Sequence, residues 1–487
     1  MYSIKGLKKK ILFGTLWLYL QQFLNVGLLM GQTIILARLL DPVHFGIIGV
    51  FLIISGALES FSNTGFHKAL IQQKDISDES LNTAWTVSVV RGIILLSLIL
   101  IFSEIFVIFL NAPEALNIVR MLGLSFLLKG FFNTGTIYFL RDLDYFRQFL
   151  WKSLGTLFNV LVSIPLAFLL RNEWAIVYGI LASDLAVLIL SYFLHSYRPK
   201  IKFEYESFIK LFKFGKWIFL SGIIAFFVKQ GDKIFITKLL GESLLGYYMV
   251  AWRFAKIPEL LTNPFPNALF PAYSMYQDNT KFIKEKFIET LNIISLFVFP
   301  MIGGMIVLAK PIIVILIGEK WLPAALSMQI LTGAMGIQII ISLSHSVFNA
   351  KGRTDFGFKM GLIGLVIISI FIYPLVNMYA LEGAAGCFLL LSTVRLIIWK
   401  IEIYKLINFS IRDMTLMILP ISSTFIIAWV IYFFSNIVDY YNPYSFIGTV
   451  LASFLCYLII ILSVDKFLGL GLLQNATNIY KQIRNKN

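Results

Sequence analysis

From residue 11 to residue 464 the chain is one apolar run after another, each of roughly twenty residues and separated from the next by a short charged loop. No soluble core accommodates that pattern. About twenty apolar residues in a helix cross a ~30 Å hydrocarbon layer, and a helix bonds its own backbone N–H and C=O groups, as lipid requires. Composition agrees, with 58% of the 487 residues hydrophobic and only 14% charged, against about 25% charged in a soluble domain. The expectation is an all-α integral membrane protein of about 14 transmembrane helices. They are placed at 11–37, 44–64, 82–110, 118–139, 153–170, 174–194, 215–237, 244–270, 288–309, 323–349, 357–378, 384–399, 413–435 and 444–464. The first follows Lys8, Lys9 and Lys10 as a secretory signal would, but its run is too long for one. The fourth, eighth and tenth fit a single continuous span least well.

A net charge of +15 would suit nucleic acid if it formed a patch, but the Lys and Arg residues sit in short loops between spans. With the N-terminus inside, tails and loops on the cytoplasmic side hold 28 of the 41, outer loops hold five, and eight lie within spans. That bias sets the orientation, puts both termini in the cytoplasm and requires an even number of spans. Outer loops are very short, and the longest loop, about 195–214, is cytoplasmic. No soluble segment is large enough for chemistry. Cys387 and Cys456 lie in apolar stretches, so no disulfide framework is expected.

The sequence also repeats. Displaced by 200, residues 31–63 match residues 231–263 at eight positions, among them Gly31/Gly231, Gly46/Gly246, Glu59/Glu259 and Asn63/Asn263. Arg38 aligns with Lys238. The reading is two six-helix lobes of parallel topology: helices 1–6 within 1–200, a connector at 201–214, and helices 7–12 within 215–405. Helices 13 and 14 occupy 406–470, and a basic tail follows at 471–487. Internal repeats with substrate at their interface mark transporters.

An ionisable group inside hydrocarbon is costly unless it faces a cavity or a partner, so each is a functional candidate. The cations are Arg91, Arg120, Lys129, Lys229, Lys233, Arg253, Lys256 and Arg395; the acids are Glu59, Glu104, Asp184, Asp232 and Glu259. Arg120, Lys256 and Arg395 lie near span ends, where snorkelling is expected, and Glu104 lies near the outer surface. Lys229, Asp232 and Lys233 share one face of helix 7. Arg253, Lys256 and Glu259 form a stripe on helix 8. Gln21, Asn25 and Gln32 line one side of helix 1, and Ser55, Glu59, Ser62 and Asn63 one side of helix 2. A cavity lined by these helices would be cationic on balance, suited to an anionic head group such as a pyrophosphate. The alternative for each group is an internal ion pair that only holds helices together. Pro258, Pro264, Pro266 and Pro271 crowd helix 8 and predict a bend or an early end there.

No phosphate-binding glycine loop ending in Lys and Ser or Thr is present, and no His-Glu-x-x-His. Asp142-x-Asp144 has the look of a metal-binding pair but lies in a loop of about a dozen residues. The chain is therefore expected not to be an enzyme, and to need neither metal nor cofactor. Short outer loops disfavour a sugar polymerase or ligase.

Three stretches carry a resemblance. Residues 31–49, GQTIILARLLDPVHFGIIG, resemble the first hairpin of bacterial polysaccharide exporters. Residues 231–248, GDKIFITKLLGESLLGYY, resemble their seventh-helix hairpin, and residues 264–274, PFPNALFPAYS, the end of their eighth helix. The chain thus resembles the lipid-linked oligosaccharide flippases (O-antigen or exopolysaccharide exporters) of the multidrug, oligosaccharidyl-lipid and polysaccharide exporter superfamily. The resemblance implies a V-shaped fold working by alternating access in a bacterial cytoplasmic membrane. It implies movement of undecaprenyl-pyrophosphate-linked oligosaccharide from the inner to the outer leaflet, with helices 13 and 14 forming a groove for the lipid tail. Arg91, Lys129, Lys229, Lys233 and Arg253 are then the candidates for attracting the substrate. Glu59, Asp232 and Glu259 would couple a proton or sodium ion or balance the cations, and Gln21, Asn25, Gln32 and Asn63 would line the cavity. Membrane lipid and other polysaccharide assembly proteins are the expected partners. A multidrug antiporter or a lipid II flippase of the same fold is the alternative. An antiporter for organic cations should present an acidic cavity, whereas here cations outnumber acids in the spans eight to five.

Overall fold

A computed structural model describes residues 4–468 except 63–64, 73–75, 354, 411–412, 414 and 435–440. Asn63 and the basic tail therefore lie outside the described residues. The described residues are helical, with no strand among them. In chain order the helices are α1 (Ile4–Leu39), α2 (Pro42–Ser62), α3 (Phe66–Gln72), α4 (Asp78–Phe109), α5 (Leu116–Leu122), α6 (Leu124–Gly130), α7 (Ile137–Arg141), α8 (Tyr145–Leu170), α9 (Trp174–Phe193) and α10 (Tyr205–Leu240). They continue with α11 (Glu242–Ala255), α12 (Ile257–Thr262), α13 (Pro264–Met275), α14 (Thr280–Val307), α15 (Ala309–Ile317), α16 (Ala324–Ala350), α17 (Asp355–Ile407), α18 (Thr415–Phe434) and α19 (Pro443–Leu468). Among the described residues nine helices are long and apolar enough to cross a membrane, or ten with one bent pair counted as a single span.

Two of the three doubtful spans are broken. The fourth runs as α5 and α6, then turns by 70° into Thr134–Arg141. Asn133 makes the corner: its Oδ1 accepts from the Gly135 N–H at 2.8 Å, while its Nδ2 donates to the Tyr197 carbonyl at 2.7 Å. The eighth is divided into α11, α12 and α13. Pro258 and Pro264 each sit in the first turn of a new helix, where a missing N–H costs nothing. The tenth, α16, is continuous, its small residues Ala334 and Gly336 letting neighbours close in without a break.

The chain divides into two compact units, Met1–Met249 and Val250–Asn487. In the first, α8 packs between α1 and α9, α6 lies on α4, and α10 lies on α2, α3 and α4. The α4–α6 crossing is close because glycines meet there: a Cβ on Gly92 would stand 2.7 Å from the Phe126 carbonyl oxygen, and one on Gly130 2.8 Å from that of Ser88. The segment before α10 is strapped to α4 by side chains. Asn82 accepts from the Tyr197 hydroxyl at 2.8 Å and the Lys200 N–H at 2.7 Å, and Thr83 accepts from the Glu204 N–H at 3.0 Å. Helix α3 has no counterpart in the sequence reading, being too short and too polar at its ends to register as a span.

In the second unit, α14, α16, α17 and α18 enclose a core built on Phe287, Phe348, Phe356 and Trp399. The long α17 is a hairpin of two helices that turns at Ala380, whose φ of 47° lies in the left-handed region. The arms touch at Gly383, where a Cβ would stand 1.9 Å from the Leu375 carbonyl oxygen. Arg395, expected to snorkel, is buried instead. Its Nε and Nη2 donate to the Met360 carbonyl across the hairpin at 3.1 and 2.8 Å, a partner it meets only because the arms run antiparallel.

Candidate functional site

The α4–α6 crossing explains why two distant cations become neighbours. Arg91 directly precedes Gly92, and Lys129 directly precedes Gly130. Lys129 Nζ donates to Glu59 Oε1 of α2 at 3.2 Å, both side chains being a little under half exposed. Arg91 Nε donates to the Ser62 hydroxyl, one turn along α2, at 2.9 Å. One turn before Lys129 on the same helix, the Ser125 hydroxyl donates to Asp184 of α9. Lys129, Lys152 and Glu59 all act electrostatically on Asp184. The first unit thus holds a charge cluster of three cations, Arg91, Lys129 and Lys152, and two acids, Glu59 and Asp184, from α2, α4, α6, α8 and α9.

Lys152 and Asp184 are the members sequence reasoning did not choose for the site. Lys152 counted as a loop residue ahead of the fifth span, whereas α8 begins seven residues earlier, at Tyr145. It extends over the Trp151 ring at 4.0 Å. Asp184 was noted as an intramembrane acid, but nothing in its spacing pairs it with Ser125. No spacing in the sequence marks either as a partner of Arg91 and Lys129, because the glycines that bring those helices together look like any others.

The other candidates distribute differently. Asp232 of α10 is buried and accepts from the Tyr248 hydroxyl at 2.8 Å. Lys233 folds back along its own helix, donating to the Lys229 carbonyl at 2.7 Å and Gln230 Oε1 at 2.9 Å, while Lys229 is exposed. Arg253 is exposed on α11, and Glu259 lies half-buried in the first turn of α12. Both belong to the second unit. Gln32 is buried, and its Nε2 is taken up by α8, donating to Asn159 Oδ1 at 2.8 Å and the Ser163 hydroxyl at 2.5 Å. Gln21 Oε1 and Asn25 Oδ1 are buried with no hydrogen-bond partner among the described residues. No group of three or more His, Cys, Asp or Glu side chains among those residues is arranged to hold a metal ion.

A half-exposed ion pair such as Lys129–Glu59 within spanning helices is tolerable where water or a polar ligand reaches it, and costly against lipid. An excess of cations among hydroxyls in such a place can hold a phosphate by charge-assisted hydrogen bonds. Bonds to the ligand would replace those the cations now make with Glu59 and Ser62.

Comparison with known proteins bears on the family and the fold. The lipopolysaccharide biosynthesis protein WzxC of Escherichia coli (strain K12) is 25% identical over 399 residues, 81% of this chain and 80% of that protein. The succinoglycan biosynthesis transport protein ExoT of Rhizobium meliloti (strain 1021) is 24% identical over 306 residues, 63% of this chain and 62% of its own. Among solved structures, the lipid II flippase MurJ in an inward closed conformation superposes with a TM-score of 0.74 at 17% identity, covering 94% of this chain and 99% of that one. Residues 35–326 match the polysaccharide biosynthesis protein family. The chain belongs to that family, whose model spans more than half of its length.

Proposed function

We propose that this protein is a flippase that moves undecaprenyl-pyrophosphate-linked oligosaccharide from the cytoplasmic to the outer leaflet of a bacterial cytoplasmic membrane by alternating access. The observation that carries the reading is the cluster of Arg91, Lys129 and Lys152 with only two acids, inside spanning helices of a family whose relatives serve polysaccharide biosynthesis. A diphosphate linking glycan to lipid is the most strongly anionic part of such a substrate, and clustered Lys and Arg are what it needs to leave the head-group layer. Lys229, Lys233 and Arg253 extend the cationic lining in this reading. Glu59, Asp232, Glu259 and now Asp184 balance those charges or bind a coupling proton or sodium ion. The two six-helix lobes, 1–200 and 215–405, are the moving bodies, both termini are cytoplasmic, and helices 13 and 14 guide the lipid tail. Transport rather than catalysis is the activity, as for the transporters and flippases among its relatives.

The experiment is deletion of the gene followed by leaflet-resolved assay of lipid-linked oligosaccharide. Complete repeat units accumulating on the cytoplasmic leaflet, with surface polysaccharide lost, support the flippase. An unchanged glycan-lipid pool with new sensitivity to cationic drugs overturns it in favour of an antiporter.

A further inference from the structure

The charge bias assigns the start of α2 and the start of α11 to the outer end of the first unit, and there the two helices cross backbone to backbone. A Cβ on Gly46 would stand 1.8 Å from the Glu242 carbonyl oxygen, and one on Gly246 1.9 Å from the Pro42 carbonyl oxygen. A Cβ on Gly49 would stand 2.8 Å from the buried Leu245 side chain. Contacts this tight hold or part as a unit, because packed surfaces are bistable rather than continuously deformable.

One side chain at the crossing is out of keeping with it. Glu242, the first residue of α11, is half-buried, and its Oε1 is shut off from solvent with no hydrogen-bond partner among the described residues. Among the described residues the Ala115 backbone N–H, which also donates to the Ala112 carbonyl, is the donor beside it, and the charged groups acting on it are both acids, Glu114 from the turn before α5 and Glu173 from the start of α9. Glu173 is in turn 2.6 Å from His44 Nδ1 in the first turn of α2. Lys238, nearby in sequence at the end of α10, is drawn instead over the Phe109 ring at 4.1 Å. Four segments thus converge on a carboxyl group with one donor and two like charges around it, a place where the neutral acid fits and the carboxylate does not.

We propose that Glu242 is a proton-operated latch: protonated, it lets the α2–α11 crossing close, and ionised, it is driven from Glu114 and Glu173 and parts the helices. Burial first, and then the two acids, push its carboxyl up to about 7 from the ordinary carboxylate value. The closed crossing therefore binds the proton more tightly than an open, hydrated one. Its stability is complete below the ordinary carboxylate range and is lost as outer pH rises through about 7. The inference does not depend on which lipid is carried, and its test involves no substrate.

In a protein with Cys387→Ser and Cys456→Ser, a single Leu245→Cys reports the crossing to a membrane-impermeant maleimide applied from outside. The rate is divided by that of the same protein carrying Glu242→Gln, which cancels the reagent's own pH dependence. The ratio should rise by roughly threefold or more between about pH 5 and about pH 8. Glu173→Gln should move the midpoint to lower pH, a shift a merely structural role would not produce. If Leu245→Cys fails to fold, Met249→Cys, on the same face against Gly49, serves as reporter. A flat ratio, an unmoved midpoint or no labelling at any pH would overturn the latch.

Discussion

Replacing Lys129 by methionine separates recognition from architecture, because the two roles predict different magnitudes. Lys129 and Glu59 are 3.2 Å apart with side chains 44% and 46% exposed. At an effective dielectric of about 20, unit charges ~4 Å apart attract by about 4 kcal/mol. Exposure and side-chain entropy reduce the measured value of such pairs to about 0.2–1 kcal/mol. If the pair only clasps α2 to α6, Lys129→Met should cost less than ~1 kcal/mol of stability, and export should fall by no more than about fivefold. If Lys129 donates to a phosphate oxygen, the lost charge-assisted bond is worth about 1.5–3 kcal/mol, or roughly 10- to 150-fold. The assay is surface polysaccharide per molecule of membrane-inserted protein, with the melting temperature of the purified protein beside it. The expected result is at least a tenfold loss of export at unchanged abundance. Glu59→Gln, which frees the cation, should keep or raise export where Glu59 balances charge, and abolish it where Glu59 binds the coupling ion. Two results refute the reasoning: wild-type export by Lys129→Met, or recovery of export when Glu59→Gln is added to it. The second would mean that an unpaired carboxylate, not a missing cation, had stopped transport.

Other substitutions test the frame around the cluster. Gln32→Leu removes the donor shared by Asn159 and Ser163 and should cost about 1–3 kcal/mol, read as a lower melting temperature. Ala380→Gly relieves a strained backbone at φ 47° and should stabilise the α17 hairpin by about 1 kcal/mol, also read by melting. Gly92→Leu forces α4 from α6 and should reduce both stability, by about 1–3 kcal/mol, and export, since Arg91 and Lys129 are set by that crossing. Unchanged export in a folded Gly92→Leu protein would detach the crossing from function.

What the sequence made legible follows from the physics of lipid. Apolar runs long enough to cross hydrocarbon have few alternatives to helix, so the all-α membrane class could be read directly, whereas nine or ten helices among the described residues meet the length and apolarity of a span against the fourteen expected. The prolines of the eighth span announced its breaks for the same reason, since a missing N–H needs a helix start. Partnerships between helices were not legible, because they depend on small residues that look alike in a string of letters. Gly92 and Gly130 gather the charge cluster, but only their contact distances distinguish them from Gly27 or Gly31, which face open space. Lys152 was misread because a helix extended past its apolar run toward the surface, which composition does not forbid. Arg395 was misread because its partner is a carbonyl 35 residues away, brought near by a turn at an alanine.

Positions 46 and 246 are repeat equivalents, and so are 42 and 242, so Gly46 over the carbonyl of 242 and Gly246 over the carbonyl of 42 are a single contact made twice. That is the arithmetic of an isologous interface, in which residue i meets j and j meets i, normally found between separate subunits of a two-fold dimer. Here both copies lie on one chain, so evolution can alter them independently. A bulky residue admitted on one side has to be answered on the other, and substitutions at 46 and 246 should be strongly non-additive, as neighbours in contact are. His44 and Leu244, a titratable ring and its aliphatic equivalent, show that the two copies have already diverged where charge is concerned while the glycines between them have not.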